Sequence, residues 1–348
     1  MATRLKLQDI AKQVGVTKMT ISRFFNDPDS VAEKTRQKIA AIIEEQGFIP
    51  NRVPAIMSQS SSKSIGLVIP SFSNLVFADV IDAVENTAES YGYSVLLMHS
   101  SYDIGKEEKK IAELLSYQVD AVILTESEHS SLTIRRLKKS GLPVAEIMSI
   151  PNDPIDIAYG INHSMVTRQV TQSLIDCGRR NIAYFGVRMD RRTLERQRGY
   201  EQAMRENALP VNILDSSAHS NFSIGHELMN KALENSKPDA ILCTNDDVAI
   251  GAVMACHKKG ISIPEDITIL GYNGLSVCDA ASPRLCSIKT PRYEMGRTAV
   301  EKIMRQLQSG VFDKTIQYAH CSLTTGGTAT EMEQRTINTV LNTSFRQD

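Results

Sequence analysis

Lys18, Met19 and Arg23 share one short stretch with Thr17, Thr20, Ser22 and Asn26. On a helix that enters the DNA major groove by its N-terminal half, Lys18 and Met19 reach base edges, and Arg23 suits guanine N7 and O6. The short polar residues fall at the right pitch for phosphate oxygens. The competing reading makes Lys18 a solvated surface lysine and Met19 a core filler. Ile21 and Phe24 already take the buried positions, so Met19 is expected at the surface, where it needs a partner.

Other chemistry is not signalled. There is no Gly-x-Gly-x-x-Gly or Walker pattern, no His-Glu-x-x-His and no Gly-x-Ser-x-Gly. No nucleophile–base constellation or cofactor motif appears, so neither an enzyme nor a cofactor is expected. Cysteines at 177, 243, 256, 278, 286 and 321 form no Cys-x-x-Cys pair. That scatter argues against a zinc site or a disulfide scaffold and for a reducing cytoplasm. No apolar run is long enough for a membrane span, and the first residues carry no secretory h-region.

Charge is divided unevenly. Residues 1–63 hold ten Lys/Arg against six Asp/Glu, whereas the remainder holds 29 against 34. A basic head on an acidic body points to a polyanion-binding module joined to something else.

The first fifty residues read as three short helices. Leu7, Ile10, Ala11 and Val14 recur at helical spacing until Gly15 interrupts. Thr17 is a good N-cap for a second helix carrying Ile21, Phe24 and Phe25, which stops at Asn26-Asp27-Pro28. A third pattern, with Ile39, Ala40, Ile42 and Ile43, is closed by Gly47. Ala11 permits a close helix crossing, Gly15 supplies a positive-φ turn and Ile21 plugs the shared core, as in a helix-turn-helix. Residues 1–48 are therefore expected to form a helix-turn-helix head. Residues 49–63, with Pro50, Pro54 and a serine run, read as a linker.

From Ser64 onward, strand-like runs alternate with amphipathic segments. The strands are expected at Ile65–Pro70, Tyr93–Met98, Val119–Thr125, Val144–Met148, Ile182–Val187, Ala240–Cys243 and Ile267–Tyr272. Helices are expected at Phe77–Tyr91 and Lys106–Ser116, among others. The fold class is α/β with mostly parallel sheets. Residues 64–348 exceed one doubly wound unit, so two lobes are expected, with ligand between them at the carboxyl ends of the strands.

The stretch Leu7-Gln-Asp-Ile-Ala-Lys-Gln-Val-Gly-Val-Thr-Lys-Met-Thr-Ile-Ser-Arg, followed by Ile49-Pro-Asn-Arg-Val, resembles the lactose/galactose repressor family. So do Pro70-Ser-Phe-Ser-Asn, Phe77-Ala-Asp-Val, Cys243-Thr-Asn-Asp-Asp and Gly271-Tyr-Asn, which resemble its inducer-binding core. Val16-Thr-Lys-Met-Thr, Leu124-Thr-Glu with His129, and Arg196-Gln-Arg-Gly-Tyr are most similar to the gluconate- and idonate-operon regulators.

The resemblance implies a periplasmic-binding-protein-like body with lobes of about 64–162 plus 291–320 and 163–290 plus 321–348. It also implies that the linker becomes a hinge helix on DNA, with a paired apolar wedge in the minor groove. Met57 matches the wedge, usually Leu in the family. Asn51 and Ala55 match hinge positions that face DNA, and Leu7 is counted with the DNA-binding set. Ala32 stands where relatives often carry an N-cap serine, so a less sharply started third helix is expected.

In the body, Arg196 matches an arginine that reaches ligand oxygens, and a buried arginine is a good bidentate carboxylate partner. Asn245 matches a strand-end asparagine that bonds sugar hydroxyls. Asn273 replaces an aspartate that grips neutral sugars in many relatives. A neutral amide removes repulsion toward an anion while keeping a donor and an acceptor. With Arg192, this favours a sugar acid. Asn74 lies in a matching motif, Phe77 and Phe222 match apolar walls, and Glu126 and His129 follow the subgroup pattern, with a solvated loop as the alternative reading.

The expectation is a cytoplasmic homodimeric repressor that binds a palindromic double-stranded DNA operator and is released by a sugar acid such as gluconate. The alternatives are a same-family regulator answering to a neutral or phosphorylated sugar, or one that activates at some promoters.

Overall fold

A computed structural model describes residues 5–51 and 61–343, which fall in two compact units divided after Ser62. Ala55 and Met57, expected in the hinge, lie outside the described residues.

The first unit carries helices α1 (Leu7–Val14), α2 (Lys18–Asn26) and α3 (Glu33–Gln46). Gly15 ends α1 at φ 82°, and its amide donates to the Ala11 carbonyl at 3.0 Å. A side chain at this φ would be strained, so the turn requires glycine. The Thr17 hydroxyl caps α2 by accepting the Thr20 amide at 3.2 Å. Ala32 makes no side-chain cap for α3; the adjacent Glu33 instead pairs along the helix with Arg36 and Gln37. Ile10, Ala11, Val14, Ile21, Val31, Ile39 and Phe48 form the core of this unit. Ala40, expected among the apolar positions of α3, is exposed.

The second unit holds two six-stranded sheets. The first comprises β1 (Ser64–Ile69), β2 (Ser94–His99), β3 (Ala121–Leu124), β4 (Val144–Ser149), β5 (Ile157–Ile161) and β11 (Thr315–Tyr318), in the order β11-β5-β4-β3-β1-β2. The second comprises β6 (Ile182–Val187), β7 (Asn212–Ser216), β8 (Ala240–Cys243), β9 (Thr268–Asn273), β10 (Cys286–Lys289) and β12 (Ser322–Leu323), in the order β12-β10-β9-β8-β6-β7. Every pairing is parallel except β10 with β12. The chain passes between the sheets after β5, after β10 and after β11.

Helices α4 (Ala78–Ser90), α5 (Ile104–Ser116), α6 (Ser131–Ser140) and α12 (Arg292–Ser309) belong with the first sheet. With the second go α7 (His163–Asp176), α8 (Arg191–Glu206), α9 (Phe222–Asn235), α10 (Asp246–Lys259), the short α11 (Val277–Ala280) and α13 (Glu331–Thr343). Glycine lets α7 and α8 cross closely: a Cβ at Gly199 would overlap the Ser164 carbonyl oxygen. Helix α13 is pinned through Glu333, which accepts from Arg179 Nε at 2.7 Å and from the Thr268 hydroxyl. Ile337 and Leu341 of α13 are fully buried in the body's core, each burial stabilising by about 1.5–3 kcal/mol.

Strands β5, β7, β10, β11 and β12 were not expected from the sequence. They are short or interrupted by polar residues, such as Asn212 and Asp215 in β7, so alternation alone does not mark them.

Candidate functional site

In parallel sheets the carboxyl ends of strands and the following loops converge on one opening. Here the loop after β1, Arg188 after β6, Asn245 after β8 and Asn273 at the end of β9 surround a cavity of about 330 Å³ between the two sheets. Seven residues expected at an effector site line it: Asn74, Phe77, Arg192, Arg196, Phe222, Asn245 and Asn273. Phe222 is half exposed and Phe77 is buried.

Arg196 is the most constrained of them. It is only 7% exposed, and its guanidinium carbon lies 3.7 Å from the centroid of the Tyr272 ring. Its Nη1 donates to the Thr244 carbonyl, and its Nε lies 3.4 Å from His163 Nδ1. The Tyr272 hydroxyl meets the same His163 nitrogen at 2.8 Å. Burial, reinforced by the charges of Arg196 and Arg192, holds the His163 imidazole well below its usual pKa. Burial also pushes the Tyr272 hydroxyl well up. Both groups are therefore neutral near pH 7, and neither offsets the arginine charge. Among the described residues, no carboxylate lies within ion-pair distance of Arg196.

The other two cleft arginines are partnered. Arg192 donates Nη1 to the Thr125 carbonyl at 2.9 Å and pairs through Nη2 with Glu126 at 2.5 Å. Arg188 pairs with Asp190 at 2.8 Å and lies over the Tyr102 ring at 4.6 Å. Asp190 also caps α8 by accepting the Thr193 amide. Burial would raise its pKa, but Arg192 and Arg188 outweigh this and hold the carboxyl far below the ordinary range.

Polar ends face the same space. Asn273 sits at φ 109°, a conformation few residues other than glycine adopt. Its carbonyl accepts from Arg292 Nη1, while Arg292 Nη2 reaches Asp79 of α4 at 2.7 Å. That guanidinium ties the cleft end of β9 to a helix of the other sheet. The Ser220 hydroxyl lies between Asn245 Oδ1, at 3.0 Å, and Asp247 Oδ2. Asn74 is spent on the wall, donating to the Tyr102 hydroxyl at 2.9 Å and accepting the Val76 amide at 3.2 Å.

Two expected residues lie elsewhere. Glu126 lines a neighbouring cavity of about 510 Å³ and reaches the cleft only through Arg192. His129 is not in a solvated loop: its side chain is buried, with Nδ1 2.8 Å from Glu107 and Nε2 3.3 Å from Glu146. Burial disfavours the charged ring, but Glu107 and Glu146 outweigh it and hold the pKa up at about 9. The longer contact is not aligned as a hydrogen bond, so Glu107 is the primary partner.

Sequence reasoning missed Tyr102, Arg188, Asp190 and His163, and it gave no individual role to Asp247 or Tyr272, which stand inside the motifs Cys243-Thr-Asn-Asp-Asp and Gly271-Tyr-Asn. The cap pattern Asp190-Arg-Arg-Thr193 was a usable signal for Asp190. Tyr102, held at φ 58° in a loop, carried none.

In the head, Met19 is 66% exposed, and Lys18 and Arg23 are exposed on the same helix. Thr17 and Thr20 are hydroxyl-bonded to each other at 3.0 Å, Ser22 is half-buried, and Asn26 donates to Ser22 at 3.4 Å. Leu7 spends part of its surface on the core, and Asn51 is exposed.

A three-helix head with an outward-facing second helix, joined to a two-sheet ligand cleft, defines a ligand-responsive DNA-binding regulator. Residues 6–51 match the model of bacterial regulatory proteins of the lacI family, and residues 62–326 match that of periplasmic binding proteins and the sugar binding domain of the LacI family. The chain belongs to the LacI family of transcriptional regulators. It is 40% identical over 304 residues to the HTH-type transcriptional regulator GntR of Escherichia coli K12, covering 87% of this chain and 92% of that one. It is 35% identical over 308 residues to IdnR of the same organism, covering 88% and 93%. A LacI family regulator from Silicibacter pomeroyi superposes with a TM-score of 0.87 at 28% identity, covering 93% of this chain and 99% of that one. These relatives are transcriptional regulators.

Proposed function

We propose that this regulator is a cytoplasmic homodimeric repressor of sugar-acid catabolic genes, released from a palindromic operator when a gluconate-type acid fills the cleft. The observation that carries this reading is Arg196, a buried guanidinium lining the cavity with no carboxylate partner among the described residues. A ligand carboxylate would complete its charge-assisted bonding. The neutral amide of Asn273, where an aspartate would repel an anion, supports the same ligand class. Hydroxyls would be met by Asn245, Asn273 and Ser220.

Lys18, Met19 and Arg23 would read bases, and Thr17, Thr20, Ser22 and Asn26 would meet phosphates. Thr17 can donate its hydroxyl proton to a phosphate while still accepting the Thr20 amide. Ligand closure of the lobes would re-space the two heads and loosen DNA. Calorimetry against gluconate, idonate, 5-ketogluconate, 6-phosphogluconate, glucose and galactose tests the reading. An acid is expected to bind and to lower operator affinity; binding by a neutral sugar alone would overturn it.

A further inference from the structure

We infer that the cleft takes a ligand with one negative charge and an unsubstituted polyhydroxyl tail, and that it rejects phosphorylated and dicarboxylic sugar acids. This rests on the sugar-acid reading above and narrows it.

Three guanidiniums line the cavity. Arg188 is neutralised by Asp190 at 2.8 Å and Arg192 by Glu126 at 2.5 Å, with the Thr125 carbonyl taking a further Arg192 donor. Arg196 is left with the Thr244 carbonyl, a neutral imidazole and the face of Tyr272. None of these carries a charge to offset it.

The lining contains one carboxylate in the complementary position. Asp247 has no cation within ion-pair distance among the described residues and accepts only from the Ser220 hydroxyl. It stands in the first turn of α10, two residues from Asn245. The remaining titratable groups of the lining are the exposed His219 at the rim and Tyr102, whose hydroxyl is kept neutral by burial.

The cavity thus offers one unmatched positive and one unmatched negative group. A single carboxylate satisfies Arg196, and hydroxyls donate well to Asp247. A second anionic group has two choices. It can approach Asp247 and be repelled, or it can compete with Asp190 or Glu126 for an arginine and leave that half-buried carboxylate unpaired. Discrimination here comes from the unfavourable arrangement of the wrong ligand, not from extra contacts to the right one.

The experiment is calorimetric titration of the full-length protein and of Asp247→Asn with gluconate, 6-phosphogluconate, glucarate and glucose. Wild type is expected to bind gluconate at least about thirty-fold more tightly than 6-phosphogluconate or glucarate. Asp247→Asn is expected to shrink the gluconate to 6-phosphogluconate ratio by about tenfold. Equal binding of the mono- and dianionic acids by wild type would overturn the inference, whether or not the variant folds. So would an unchanged ratio in a folded variant. Binding of glucose with none of gluconate would instead overturn the sugar-acid reading beneath it.

Discussion

The guanidinium of Arg196 lies against the ring of Tyr272, 3.7 Å from its centroid, with His163 Nδ1 within reach of both side chains. This stack aims an arginine at the cleft without neutralising it, since a ring face attracts a cation but cannot substitute for a counter-ion. Arg196→Ala should therefore abolish the ligand response while operator affinity without ligand stays within about twofold, because the head is a separate compact unit. Fluorescence anisotropy on operator DNA, with and without ligand, reads both. Ligand-driven release that persists in the variant would remove Arg196 from the site.

Lys18 and Met19 present their side chains outward at the start of α2. Replacing both with another family member's pair should redirect half-site preference by about 1–3 kcal/mol per altered contact. Competition binding over a half-site library measures it. An equal loss on every sequence would assign the pair to backbone contact only.

The buried His129 predicts a pH effect. Its folded pKa is raised from the ordinary value near 6.5 to about 9 by Glu107 and Glu146, against the opposing effect of burial. The stabilisation is complete below about pH 6.5 and is lost as pH rises through about 9. Melting temperature should fall between pH 7 and pH 10, and His129→Gln should be less stable at pH 7 but show a shallower fall. Parallel curves for the two proteins would show that the ring does not carry its charge in the folded state.

The working unit should be a dimer. A palindromic operator needs two heads related by a two-fold axis. Helix α13 offers no apolar seam for a further pairing of dimers, because its Ile337 and Leu341 are buried in the body's own core. Light scattering should give about twice the 38.5 kDa chain mass at micromolar concentration. A mass near four chains would refute it.

The head was the most legible part. Ala11, Gly15 and Ile21 act through steric roles confined to neighbouring turns, so their types and spacing suffice. Thr17 as N-cap and Gly47 as C-cap are equally local. The long strands of the body announced themselves by apolar runs, as in β1 and β6. By contrast β12 is only two residues long, and its pairing with β10 is antiparallel. It has no pattern of its own, because its partner strand supplies the constraint.

For the cleft, the family motifs in the sequence located Asn245 and Asn273 at strand ends and Arg196 on the helix α8, one turn after Arg192. Which arginine keeps its charge unmatched follows from the packing of distant segments. Arg192 finds Glu126 across 66 residues, and Arg292 finds Asp79 across 213. Arg196 meets Tyr272 and His163 instead. Periodicity and capping follow from the local geometry of the backbone, whereas pairing of buried charges depends on which chain segments the sheets bring within a few ångströms, and no spacing in the sequence records that distance.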